Sequence, residues 1–248
     1  MRSGWDWVLG SNSSRPARPH HHFTEDGRRV REVLSYSRRG SRLTEKQAQA
    51  WVASADRWVI PEESADTSQV EDWFDRTAPL IVEIGSGIGE AAVATALAYP
   101  DHNVLAFEVW RPGVAETLIR IEQAEVTNLR LIELDAVWSL RHLFDEGSLA
   151  QVHTWFPDPW HKARHHKRRL VGPDFAHTVA SRLAPGGVWR LATDWAQYAE
   201  HMLEVLDAEP LLAGGACERW GTRPLTKFER KGINVGREIC DLAYVRTS

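Results

Sequence analysis

Apolar and polar positions along this chain fall into a strand–helix rhythm that starts at Pro79. PLIVEIG is a short apolar run ending in a glycine turn, and IGEAAVATALAYP follows with helical spacing until Pro100 stops it. NVLAFEV reads as a second strand, and PGVAETLIRIEQAEV as a helix with Pro112 near its start. NLRLIEL and AVWSLRHLFDEG make the third strand and its helix, closed by Gly147. AQVHTWF is a fourth strand, FAHTVASRLAPGG a helix, and VWRLATD a fifth strand. WAQYAEHMLEVL then sets Trp195, Tyr198, Ala199, Met202, Leu203 and Leu206 on one helical face. TKFERKG and CDLAYVR are further strand candidates. Upstream, TEKQAQAWV reads as a helix opened by a capping box, Thr44 with Gln47 three residues on.

Strands alternating with helices at this spacing predict one α/β domain from about residue 45: a mainly parallel sheet with helices on both faces. In such sheets ligands bind outside the carboxyl ends of the strands. Here those ends carry acids. Glu83 closes the first strand, Glu108 the second, Asp135 the third, Asp158 follows the fourth and Asp194 ends the fifth. Asp135 and Asp194 precede helices and are equally candidates for N-caps, and Glu108 could pair with Arg111. Glu83 is harder to assign to structure alone, because a carboxylate inside an apolar run is costly to bury without a partner. Five acids on one sheet edge predict a cationic ligand.

The glycine loop narrows that ligand. EIGSGIG places glycines at Gly85, Gly87 and Gly89, one residue tighter than the dinucleotide fingerprint. Glu108, at the end of the next strand, suits the two ribose hydroxyls of an adenosine. A pyrophosphate would be repelled by a rim of carboxylates, which disfavours a nicotinamide-dependent oxidoreductase. S-adenosylmethionine carries adenosine, an ammonium and a sulfonium but no phosphate, and fits better.

Composition changes the picture little. The chain has 248 residues, 43% apolar and 26% charged, ordinary for a globular protein, so it should bury a sizeable core. A net charge of −4 means that any polyanion site must be a local patch. Two cysteines, Cys217 and Cys240, are too few for a disulfide framework and read as reduced thiols. No stretch approaches the ~18 apolar residues of a membrane span, and no signal-peptide core opens the chain, so a cytoplasmic protein without membrane contact is expected. Residues 1–28 have the composition of a disordered arm. A basic segment and helical extension then run over 29–78, and the sheet-bearing domain over 79–248. The histidines at 20–22 lack further ligands at suitable spacing, as do His161, His165 and His166, so no metal is expected.

One local patch stands out. Residues 155–169 read WFPDPWHKARHHKRR: a lone carboxylate, Asp158, between two prolines and among aromatics, followed by Lys162, Arg164, Lys167, Arg168 and Arg169. Pro159 biases Asp158 away from helical geometry. Trp155, Phe156 or Trp160 could stack on a displaced base or simply pack beneath the turn. A dense basic run beside an acidic crevice suits a nucleic-acid backbone, and the basic arm from Arg28 to Arg42 would extend that footprint.

VEIGSGIGE, FEVWRPGV, FPDPWHKARHHKRRLV, ATDWAQYAEHML and TKFERKG together make the chain resemble, over roughly residues 30–245, the bacterial tRNA (guanine-N7)-methyltransferases that modify a variable-loop guanine. The resemblance implies a Rossmann-like class I methyltransferase fold, with a mainly parallel seven-stranded sheet and an antiparallel last strand. It implies an S-adenosylmethionine site at Glu83, Gly85, Gly87, Glu108, Asp135 and Asp158, with Asp158 as the catalytic position. It assigns substrate contacts to Lys162, Asp194, Thr226, Lys227, Phe228 and Glu229, and tRNA as the partner of a monomer or homodimer. The C-terminal stretch INVGREICDLAY departs from the family by lacking an expected histidine and tryptophan. A methyltransferase for another RNA position, and an RNA-binding module without activity, are the competing readings.

Overall fold

In a computed structural model of the chain, residues 35–36, 40–61 and 70–247 are described. Residues 1–28 and most of the basic segment up to Arg42 lie outside them. Helix α1 (Glu45–Trp58) opens with the expected capping box at Thr44 and Gln47, and α2 is the short Val70–Phe74. The repeating unit follows as β1 (Leu80–Ile84), α3 (Glu90–Ala98), β2 (Asn103–Phe107), α4 (Arg111–Ala124), β3 (Leu129–Ile132), α5 (Ala136–His142) and β4 (Leu149–Trp155). A 3₁₀ helix, Ala163–Arg168, leads to α6 (Pro173–Arg182), β5 (Leu183–Thr193), α7 (Ala196–Asp207), β6 (Leu212–Cys217), α8 (Lys227–Asn234) and β7 (Cys240–Arg246).

The seven strands lie in the order β3-β2-β1-β4-β5-β7-β6. β1 to β5 are mutually parallel, and β7 runs antiparallel between β5 and β6. After β3 the chain returns across the sheet to place β4 beside β1, so the strand order reverses between β1 and β4. A crevice must open there at the carboxyl ends. Every residue of β1, β2 and β3 is buried, as expected of strands covered on both faces. On one face Val82, Leu105, Val152, Trp189 and Leu191 pack with α5, α6 and α7. On the other Ile81, Val104 and Leu129 pack with α3, α4 and Trp58 of α1.

Two sequence expectations need correction, and one strand was not anticipated. TKFERKG is a helix rather than a strand: Thr226 Oγ1 accepts from the Glu229 amide at 3.2 Å, so the segment opens with an N-cap. The helix expected through Gly187 ends at Arg182, because Ala184 precedes Pro185 and the chain turns extended at Leu183 (φ −62°, ψ 140°). Strand β6, LAGGAC, had no sequence signal; two glycines and an edge position remove the usual strand pattern.

Candidate active site

The glycine loop after β1 turns through three left-handed positions, Gly85 (φ 72°), Gly87 (φ 60°) and Gly89 (φ 78°). Its outer side is backed by α4, so closely that a Cβ on Gly113 would lie 2.2 Å from the Gly87 carbonyl oxygen. Glu108 holds the loop from the end of β2: its carboxylate accepts the Gly87 amide at 2.7 Å and the Trp110 amide at 2.8 Å. It does not pair with Arg111, whose partner is Glu133 at 2.8 Å. Those two bonds fix the plane of the carboxylate at the edge of the cavity.

Glu83 sits just behind the loop, 2% exposed. Its Oε2 and the Trp155 indole N–H are both buried without a hydrogen-bond partner. Desolvation pushes the carboxyl up to about 8, against the weaker opposing influence of the Trp155 indole and the Ala92 amide. A buried carboxyl oxygen with no partner is a cost that calls for an explanation.

The crevice beside β1 is lined by Gly85, Gly87, Glu108, Asp135, Asp158 and Phe228 among the expected residues. Ser35, Tyr36, Trp110, Val137 and Leu170 line it as well. Among the described residues, three carboxylates and no Lys, Arg or His line this cavity. Asp135 lines the cavity and also caps α5, accepting the Trp138 amide at 3.0 Å. Glu83, Lys162, Asp194, Thr226, Lys227 and Glu229 are not part of the lining.

Asp158 is presented by a strained turn. Phe156 (φ 51°) and Trp160 (φ 47°) both take left-handed backbone on either side of Pro157-Asp158-Pro159, a conformation bulky residues keep only where surroundings impose it. The surroundings are visible. Phe156 donates its amide to the Ala192 carbonyl at 2.8 Å, Trp160 donates its indole N–H to the Ser35 carbonyl at 3.0 Å, and Arg169 donates to the Pro159 carbonyl at 3.1 Å. Trp155 is core, stacked 5.6 Å from Trp220. That leaves Phe156, which lines the cavity, and Trp160 as the aromatics of the turn nearer the surface.

The basic run divides in two. Arg168 and Arg169 fold inward, Arg168 over the Trp160 ring at 3.5 Å and onto the Tyr36 carbonyl at 2.8 Å. Lys162, Arg164 and Lys167 are exposed along the 3₁₀ helix. Desolvation and the neighbouring cations push His165 below its ordinary range, so it adds charge only at more acidic pH than its unperturbed value.

Helix α8 lies across the glycine loop, with Phe228 Cε2 3.9 Å from where a Gly87 Cβ would stand. Glu90, which sequence reasoning passed over, pins it: Glu90 accepts the Lys227 amide at 2.7 Å and pairs with Arg230 at 2.8 Å. Asp194 is not the cap of α7 but faces α8 from the other side, paired with Arg237 at 2.7 Å. Glu229 is 1% exposed and both its oxygens are taken by Arg219 and Arg223. Burial alone would raise its carboxyl; the hydrogen bonds and charges of those arginines outweigh that and hold it below the usual range.

These residues fit S-adenosylmethionine on their own chemistry. Glu108 and Asp135 put carboxylates suited to hydroxyl donors at the cavity wall, and a lining with three carboxylates and, among the described residues, no Lys, Arg or His does not suit a pyrophosphate. A 3-2-1-4-5-7-6 sheet with this crevice defines a class I S-adenosylmethionine-dependent methyltransferase. Comparison agrees on the fold. The 16S rRNA methyltransferase KamB superposes with a TM-score of 0.53 at 12% identity, over 73% of this chain and 94% of that one. A 16S rRNA (adenine(1408)-N(1))-methyltransferase from Catenulisporales acidiphilia gives 0.51 at 15% identity, over 74% and 92%. The family described as "Putative methyltransferase" matches residues 77–242. A tRNA (guanine-N(7)-)-methyltransferase from a Nocardioides species is 64% identical over 234 residues, 94% of each chain. One from Cutibacterium acnes is 47% identical over 236 residues, 89% of this chain and 86% of the relative. The chain belongs to the bacterial tRNA (guanine-N7)-methyltransferase family.

Proposed function

We propose that this protein transfers a methyl group from S-adenosylmethionine to N7 of a guanine in tRNA, and that the guanine is in the variable loop. The observation that carries the reading is the acid-lined crevice, which opens onto a strained turn presenting Asp158 beside exposed Lys162, Arg164 and Lys167. S-adenosylmethionine supplies the methyl as part of a sulfonium. Glu108 and Asp135 hold the adenosine end, and Glu83 receives the ammonium. Guanine N7 bears a lone pair and no proton, so no side chain has to act as a base on it. The protein's task is placement, worth about 7–11 kcal/mol of barrier in favourable cases.

Asp158 accepts hydrogen bonds from guanine N1–H and the exocyclic amine, and its charge stabilises the purine cation as it forms. The two flanking prolines keep that carboxylate from relaxing away. Phe228 and Phe156 offer flat surfaces at the cavity for the base, and Thr226, Lys227 and Asp194 border its approach around α8. Glu229 acts from within, by holding α8. Lys162, Arg164 and Lys167 take the phosphate backbone, with Arg168 and Arg169 bracing the turn from which they project. The protein works as a monomer or homodimer in the cytoplasm and uses no metal.

The test is methyl transfer from labelled cofactor to an unmodified tRNA with a variable-loop guanine, and to the same tRNA with adenine there. Label confined to the first supports the reading. Equal label in both would move the target elsewhere in the RNA, and none in either would remove tRNA as substrate.

A further inference from the structure

Arg223 is assigned no part in the reading so far, yet it is among the most enclosed side chains in the protein, with its side chain fully buried. Burying a guanidinium is expensive and is tolerated only with matched carboxylates. Arg223 has two. Its Nε donates to Glu229 Oε2 at 3.3 Å and its Nη2 to Glu229 Oε1 at 3.1 Å. The same Nη2 donates to Asp241 Oδ2 at 3.0 Å, and Nη1 donates to Asp241 Oδ1. Arg219 closes the cluster, donating to both Glu229 oxygens and to the Arg223 carbonyl at 2.8 Å. Two acids and two arginines balance.

The three elements that meet at this guanidinium decide what it does. Glu229 belongs to the first turn of α8, directly after Phe228 of the cavity wall. Asp241 belongs to β7, in register with Ala192 of β5. The Phe156 amide bonds the Ala192 carbonyl. The flat face of Arg223 lies 5.0 Å from the Trp155 ring and 5.5 Å from the Phe156 ring, the residues that lead into the Asp158 turn. One buried cation thus touches both walls of the acceptor site: the turn with Asp158 and the helix with Phe228. The strain at Phe156 needs an external restraint, and the planar, bidentate Arg223 fork provides one that a lysine's point charge would not.

We propose that Arg223 is a positioning residue for methyl transfer: it fixes α8 against the Asp158 turn, so that the spacing of the two walls that receive the guanine is set by one guanidinium held between Glu229 and Asp241. It reaches no substrate atom. Its effect therefore falls on the rate of transfer in the bound complex and leaves both ligands' affinities nearly unchanged. This inference rests on the proposed methyl transfer to tRNA.

The test uses the full-length protein and three variants. Arg223→Lys keeps the charge and loses the fork. Asp241→Asn leaves every cavity residue and Arg223 in place but removes the charge and turns one of the two acceptors of the fork into a donor. Arg223→Ala is assayed with and without millimolar ethylguanidinium. Cofactor and tRNA affinities, single-turnover methylation at saturating levels of both, and melting temperature are read for each. Arg223→Lys and Asp241→Asn should lower the single-turnover rate at least tenfold while both dissociation constants stay within threefold. Ethylguanidinium should restore part of the rate to Arg223→Ala. A rate unchanged in Asp241→Asn, or affinities falling in step with rate, would overturn the positioning role and leave only a structural one. If Arg223→Lys does not fold, Asp241→Asn alone decides. No methylation of tRNA by the unaltered protein would instead overturn the proposed function, which keeps the two failures distinct.

Discussion

Replacing Glu83 by Gln isolates the cost the fold carries for its cofactor site. In the folded protein the carboxyl stands at about 8, against an ordinary 4.5, because it is buried behind the glycine loop with an oxygen left unpartnered. Between those two values the unfolded chain has released the proton and the folded one still holds it. The stability this group contributes is therefore fully present below pH 4.5 and is lost as pH rises through about 8. The loss approaches ~1.4 kcal/mol per pH unit inside the window and sums to about 5 kcal/mol, an upper bound because the site can relax on ionisation. Gln has the same shape and no charge, so Glu83→Gln should be nearly as stable as the parent at pH 5 and more stable by roughly 3–4 kcal/mol at pH 8. Urea denaturation of both proteins at several pH values across that range reads this directly, and the difference between the two curves removes every other titrating group. The same variant should bind S-adenosylmethionine at least tenfold more weakly, since the ammonium loses its carboxylate. Parallel stability curves for the two proteins would refute the reasoning, because they would mean that Glu83 is ionised and satisfied without a ligand.

Asp158→Ala should lower methylation about 100-fold or more while tRNA binding changes little; equal losses in rate and binding, measured by single turnover and filter binding, would deny Asp158 its separate role. Changing Lys162, Arg164 and Lys167 together to Ala should weaken tRNA binding and flatten the plot of log affinity against log salt by roughly 2. An unchanged slope would return these residues to ordinary surface. Gly113→Ala places a methyl group 2.2 Å from the Gly87 carbonyl oxygen. It should cost about 1–3 kcal/mol of stability, seen in the melting temperature, and weaken cofactor binding by shifting the loop that Glu108 holds. A normal affinity would show that the loop tolerates displacement.

The parts of this protein legible in its sequence are those where chemistry and periodicity coincide. Glu83, Glu108, Asp135 and Asp158 could be placed on one edge because each follows an apolar run, and parallel strands put their ends together. Gly85 and Gly87 were legible because a left-handed turn demands glycine. What stayed hidden depends on tertiary partners. Glu229 looked like part of a strand or a substrate contact, but two arginines from the preceding loop enclose it. An arginine in GTRPLT gives no sign of being buried, because its acids lie 6 and 18 residues away on different elements. Arg168 and Arg169 read as surface charge with their neighbours until the turn folded them onto Trp160, Tyr36 and Pro159. Asp194 precedes a helix as an N-cap does, and its pairing with Arg237, just beyond α8, is a contact between residues 43 apart that no local pattern shows.

The central claim is transfer to a protonless ring nitrogen with no side chain acting as a base, and a single atom tests it. Unmodified tRNA with guanine in its variable loop, and the same tRNA with 7-deazaguanine at that position, are incubated with the protein and methyl-labelled S-adenosylmethionine. The account predicts label in the first and none in the second, with both RNAs bound equally. Label in both would contradict it, by showing that the methyl goes to another atom or another nucleotide.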